Sequence, residues 1–197
     1  MMTEIKILIE GYVKKEKGSE FASSTATLIK ESGINIIVDP GMNRKLLLDA
    51  LEKEGLSTSD IDYIILTHYH LDHSLLAGIF ENARILYNGE IYSWNGKIES
   101  QGGKIPEIGI KIIETPGHGM FDCSVLVKSK KFGRVAIAGD VFWWSDKQKQ
   151  KTDKISLMKH EDPYVKNKEQ LMKSRKEVLE IADFIIPGHG KMFRVEK

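Results

Sequence analysis

The chain has 197 residues, with 41% hydrophobic and 29% charged residues and a formal net charge of +1. That length suits one domain with a core large enough to need no staples, and we expect residues 1–197 to form it. Near-neutral charge argues against a nucleic-acid partner, the single Cys123 excludes an internal disulfide, and no apolar run reaches the ~18 residues of a membrane helix. The start "MMTEIKILIE" lacks the basic and apolar regions of a signal peptide, so we expect a cytoplasmic protein.

In chain order, "EIKILIE" alternates apolar and polar residues and predicts a strand. The glycine-bounded "GYVKKEKGSEF" predicts a loop or hairpin tip, and "STATLIK", "ESG" and "INIIVDPG" a strand, a turn and a buried strand. "NRKLLLDALEKEG" has helical spacing and a closing glycine. "STSDIDYIILT" leads into a strand that ends at "THYHLDH", and "SLLAGIF" predicts a short helix after it. "ARILYN" is a further strand, and "GEIYSWNGKIESQGGK" a loop or weak hairpin. "IGIKIIETPG", "CSVLVKS" and "GRVAIAGD" are three more strands. The lysine-rich stretch through 147–154 predicts a solvated loop, with a lid as the alternative. "PYVKNKEQLMKSRKEVLEIA" predicts one long amphipathic helix with Leu171, Val178 and Leu179 inward and Ser174 and Arg175 on the surface. "DFIIPGHG" is a last strand and turn. Runs of strands with few helices between them favour packed sheets with helices outside.

Chemistry concentrates at strand ends. His68, His70, Asp72 and His73 follow one strand; His118, Asp140 and His189 follow three others. Imidazole and carboxylate are ligands for zinc, iron or manganese, and a cysteine-poor set is unlike a structural zinc site. Seven candidate ligands exceed what one tetrahedral ion needs, and two ions sharing a bridging carboxylate would use them all. His160 lies outside this set and predicts an exposed or capping residue; Cys123 predicts a small buried hydrophobe.

These segments resemble the metallo-β-lactamase superfamily over nearly the whole chain. The resemblance rests on "HYHLDH" (68–73), "TPGH" (115–118), "AGD" (138–140), "PGHG" (187–190) and "VDPG" (38–41). It implies an α+β, four-layer αββα sandwich with a two-metal site at one edge of the sheets. By that resemblance His68, His70 and His118 hold the first ion, and Asp72, His73 and His189 the second. Asp140 bridges, and Asp39 orients a ligand. The implied reaction is hydrolysis of a small ester, thioester or lactone by a hydroxide bridging the ions, with Asp72 and Asp140 as catalytic carboxylates.

Two ions, zinc first, with iron or manganese as alternatives, together with two carboxylates and a hydroxide sum to about +1, which suits an anionic small molecule. His70 stands where flavodiiron relatives carry Glu, and Asp140 where zinc β-lactamases carry Cys. With eight residues after His189, we expect no helical glutathione-holding domain of the glyoxalase II kind. The expectation is therefore a minimal glyoxalase II-like or lactonase-like hydrolase, with the metallo-β-lactamase domain-containing protein 1 group as a narrower resemblance. A nuclease or phosphodiesterase and a mononuclear iron persulfide dioxygenase are the alternatives on the same scaffold. Tyr69, Trp143 and Tyr12 are candidate substrate contacts, with Phe21 beside Tyr12 on the predicted flap. In "VFWW", Phe142 is expected to point into the core.

Overall fold

A computed structural model describes residues 3–100, 105 and 108–196. The N-terminal half builds a seven-stranded sheet from β1 (Glu4–Ile9), β4 (Ala26–Glu31), β5 (Ile34–Val38), β6 (Tyr63–Ile65), β7 (Arg84–Tyr87), β8 (Glu90–Tyr92) and β9 (Ile98–Ser100), in that spatial order. β2 (Tyr12–Glu16) and β3 (Ser19–Ser23) leave this sheet as a separate hairpin. The C-terminal half builds a five-stranded sheet from β10 (Lys111–Glu114), β11 (Cys123–Ser129), β12 (Gly133–Ile137), β13 (Phe184–Ile186) and β14 (Phe193–Arg194). Helix α1 (Arg44–Lys53) follows β5, and the short α2 (Leu71–Ser74) follows β6. Helices α3 (Lys154–Lys159) and α4 (Lys168–Ile181) lie between β12 and β13.

Three clusters make this a layered sandwich. Ile36, Val38 and Ile65 of the first sheet meet Val125, Val135 and Ile137 of the second, all buried. Because strand side chains alternate, the next residues face outward and need helices to cover them. Ile37 and Ile64 are covered by Leu47 and Leu51 of α1, and Ala136 and Ile185 by Leu171 and Val178 of α4. The order helix, sheet, sheet, helix agrees with the expected αββα architecture.

Of the two loop-or-hairpin stretches, 11–21 is a paired hairpin and "GEIYSWNGKIES" closes as β8–β9, while residues 101–104 lie outside the described residues; other local expectations change. Strand β14 had no counterpart in the sequence reading, being two residues long. The long helix starts at Lys168 rather than Pro163. There Asn167 caps it, its side chain accepting from the Gln170 N–H at 3.0 Å. Its predicted surface residues Ser174 and Arg175 are instead buried. Ser174 donates to the Pro116 carbonyl at 2.7 Å, and Arg175 donates to the carbonyls of Val141 and His160 at 3.0 and 2.6 Å. A polar side chain can sit inward when a loop carbonyl awaits it, which periodicity does not report. Phe142 and Cys123 are buried as expected.

Candidate metal centre

Four loops carry the candidate ligands to one edge of the sandwich. The turn after β6, continuing into α2, supplies His68, His70, Asp72 and His73. The β10–β11 loop supplies His118, the turn after β12 supplies Asp140, and the turn after β13 supplies His189. Two glycines are required by close approach. Gly117 has φ +137°, and a side chain there would strike the backbone of Leu171 at the start of α4; one on Gly188 would strike the Asp140 carboxylate.

All seven residues meet, in two groups. His68, His70, His118 and Asp140 form one, and Asp72, His73 and His189 the other; within each, one ligand atom per residue lies within 4.8 Å of the rest. Asp140 faces both. Its Oδ2 lies 3.9 Å from His68 Nε2 and 3.4 Å from His118 Nε2, while its Oδ1 lies 3.2 Å from His73 Nε2 and 3.7 Å from His189 Nε2. His70 Nδ1 lies 3.0 Å from His68 Nε2 and 3.1 Å from His118 Nε2, and His189 Nε2 lies 3.2 Å from Asp72.

The outer nitrogens of two rings are held from behind. His73 Nδ1 is 2.8 Å from Asp39 Oδ2, and His118 Nδ1 is 2.7 Å from Asp162 Oδ2. Asp39 also accepts from Thr67 N–H and Oγ1 at 2.8 and 2.6 Å, with its own backbone at φ +51°. A carboxylate behind an imidazole fixes the tautomer that turns Nε2 toward the centre.

These residues fit a cation. His73 Nε2 and Asp140 Oδ1 are buried 3.2 Å apart with no well-aligned hydrogen bond, and among the described residues His189 Nδ1 has no partner. Such groups cost free energy unless something satisfies them. The protons tell the same story. Burial disfavours the charged form of His73, but Asp140 and Asp39 outweigh it and hold its pKa well above the usual value. Burial also opposes ionisation of Asp140, which His73 and His189 nevertheless hold well below the carboxylate range. Burial, helped by His73, pushes His68 well down. The carboxylates of Asp140 and Asp39 thus favour positive charge at this point, which a bound cation would supply.

The centre opens into a pocket of about 460 Å³. Val13 and Ala22 from the hairpin, Met42, Leu71, Trp143 and Tyr164 give it apolar and aromatic walls, with Glu20 at one side. Of the expected substrate contacts only Trp143 lines it. Tyr69 is exposed with its ring 5.4 Å from that of His70, and Tyr12 accepts from Asn43 Nδ2 at 2.8 Å. Tyr12 and Phe21 alternate with Val13 and Ala22, so they occupy the other face of the hairpin. Asp162 and Tyr164 were missed; both come from "HEDPY" ahead of α4, where only His160 drew notice. His160 is half-buried and forms the C-cap of α3, its backbone N–H bonding to the Leu157 carbonyl.

A profile described as the metallo-beta-lactamase superfamily matches residues 20–91. The Xenopus laevis protein named metallo-beta-lactamase domain-containing protein 1 is 31% identical, over 98% of this chain and 82% of its own length. The Homo sapiens protein of that name is 36% identical over 81% of this chain, but the match spans only 59% of its length. Among solved structures, a metallo-β-lactamase-fold protein from Thermotoga maritima superposes with a TM-score of 0.75 at 22% identity, covering 98% of this chain and 100% of that one. The dizinc quorum-quenching lactonase AidC gives 0.61 at 18% identity, covering 87% and 73%. At those identities the two structures speak for the fold alone. Fold, strand-end residues and curated relatives agree: the chain belongs to the metallo-β-lactamase superfamily, whose members are metal-dependent hydrolases.

Proposed function

We propose that this protein is a two-metal hydrolase of small carbonyl esters, thioesters or lactones. The carrying observation is Asp140, which turns one oxygen to each histidine group beside an apolar pocket. His68, His70, His118 and Asp140 Oδ2 would hold one divalent ion, and Asp72, His73, His189 and Asp140 Oδ1 the second. Zinc suits this nitrogen and carboxylate set, with iron or manganese as alternatives. Ions bound there supply activation of water at neutral pH and polarisation of a carbonyl oxygen.

The chain's own groups do the rest. Trp143, Tyr164, Leu71 and Val13 receive the acyl portion and exclude water from it. Asp72, partly exposed at the pocket, takes the proton of the attacking water and returns it to the leaving oxygen or sulfur, so that ester and water become acid and alcohol or thiol. Asp39 and Asp162 hold His73 and His118 in register throughout. Among the described residues the pocket walls include no Lys or Arg, which a run of phosphates would call for, and this favours acyl transfer to water over nucleic-acid cleavage.

The test is a side-by-side assay of the metal-loaded protein. Aryl esters, lactones and S-acyl thioesters form one panel, single-stranded RNA and bis-aryl phosphodiesters the other. We expect turnover in the first that is lost in His68→Ala. Faster turnover in the second panel, also lost in His68→Ala, would reject the proposal. Metal analysis of the same protein should give about two ions per chain.

A further inference from the structure

Asp162 is also a wall of a second, larger cavity, of about 710 Å³, formed with residues of α3 and α4. Its lining includes three apolar side chains, Met158, Leu171 and Met172, and three cations, Lys159, Lys168 and Arg175. Two acids border it, Glu161 and Asp162, and the latter is already engaged by His118 Nδ1 and by the Tyr164 N–H at 2.9 Å.

Arg175 is the unusual member. Its residue surface is only 2% exposed. Its hydrogen bonds go to two neutral carbonyls, those of Val141 and His160, and its charge lies 5.7 Å from the centre of the Phe142 ring. Its Nη2 is buried with no acceptor among the described residues. Burial, only partly offset by Asp162, pushes its pKa down to about 10. An interior guanidinium without an ion-pair partner is costly and calls for an anion. Lys159 and Lys168 make no ion pair among the described residues, so their charge adds to that demand.

We infer that this cavity binds a small organic carboxylate, its head group held in the field of Arg175 and paired with Lys168, and its hydrocarbon lying on Met158, Leu171 and Met172. The apolar lining selects for the hydrocarbon, which bare phosphate does not carry. The site adjoins the metal centre through Asp162 but does not depend on what that centre hydrolyses.

The experiment is a nitrogen-15 NMR titration of the zinc-loaded protein with sodium hexanoate, following the Arg175 Nε–Hε resonance. Inorganic phosphate is the second arm. We expect a saturable shift with hexanoate and a weaker response to phosphate. Lys168→Glu, at the exposed first turn of α4, should weaken binding about fivefold, the scale of one exposed ion pair. Met172→Trp, which fills the cavity, should abolish the shift and leave zinc content unchanged. A wild-type resonance that hexanoate does not move overturns the site. So does a shift that survives in Met172→Trp, because it would then originate at the metal centre. Equal binding of phosphate overturns the organic carboxylate.

Discussion

His73 and His118 face the same carboxylate, that of Asp140, but are held in different ways. Asp39, behind His73, stands at the end of a central strand and serves three bonds at once: His73 Nδ1, the Thr67 N–H and the Thr67 hydroxyl. Asp162, behind His118, sits in irregular chain between two helices, 44 residues away, and its own support is the Tyr164 N–H. Asp39 therefore ties its metal group to the sheet, whereas Asp162 ties its group to a loop. The difference teaches that one centre can have a stiff half and a softer half. Losing Asp39 should disturb fold and metal together, and losing Asp162 chiefly metal.

The largest effect should come from the residue common to both halves. Asp140→Ala should cost both groups more than the ~10–100-fold in affinity typical of a supporting residue. Metal per chain after dialysis measures this; retention of two ions would remove Asp140 from the bridge. Next is Asp39→Ala, for which we expect ~10–100-fold weaker metal binding. It should also destabilise the fold by ~1–3 kcal/mol because Thr67 N–H is left buried and unpaired. Urea denaturation in the presence of a chelator isolates that second term. Asp162→Ala should fall at the lower end, about 10-fold in affinity, at one of two sites in competition with a chromophoric chelator, while Asp162→Asn recovers part of it. If Asp162→Ala loses more metal than Asp39→Ala, the stiff and soft assignments are reversed.

The smallest effect concerns the loop that carries His118. Burial raises the Asp122 carboxyl to about 6, although it accepts the Gly119 N–H. An acid whose folded pKa exceeds its unfolded value stabilises the fold relative to its ionised form at low pH, and that stability is lost as pH rises from about 4 through about 6. Asp122→Asn, which keeps an acceptor without the charge, should therefore gain ~1–3 kcal/mol over wild type at pH 7.5 and little at pH 4. Thermal melts of the metal-free proteins at both pH values check it. An equal difference at both would show that ionisation of Asp122 carries no penalty.

What the sequence made legible follows the same division. His68, His70, His73, His118, Asp140 and His189 could be singled out because each comes soon after an apolar strand, three of them beside a turn glycine, and strand ends converge when sheets stack. Asp39 was legible only through the resemblance of "VDPG" to the family pattern. Asp162 and Tyr164 were not, because they lie in chain without periodicity and reach the centre only through the docking of α4 against the 115–118 loop. Tyr12 shows a second limit: a hairpin can be foreseen while the face it turns to the pocket stays ambiguous, and a one-residue change of parity exchanges Tyr12 and Phe21 for Val13 and Ala22. Arg175 shows a third, since a charged residue on a helix reads as solvated until a carbonyl partner is known.

The sheet topology repeats itself. β4 and β5 pair antiparallel and β6 joins parallel after α1; β11 and β12 pair antiparallel and β13 joins parallel after α3 and α4. In each half an aspartate follows the second strand, Asp39 or Asp140, and a histidine follows the third, His68 or His189. Neither half owns a metal group: His68 and His70 are completed by His118 and Asp140, and Asp72 and His73 by His189. Ions in this centre would act as a clasp across the seam of the sandwich, and the two sheets could not part without surrendering ligands from both.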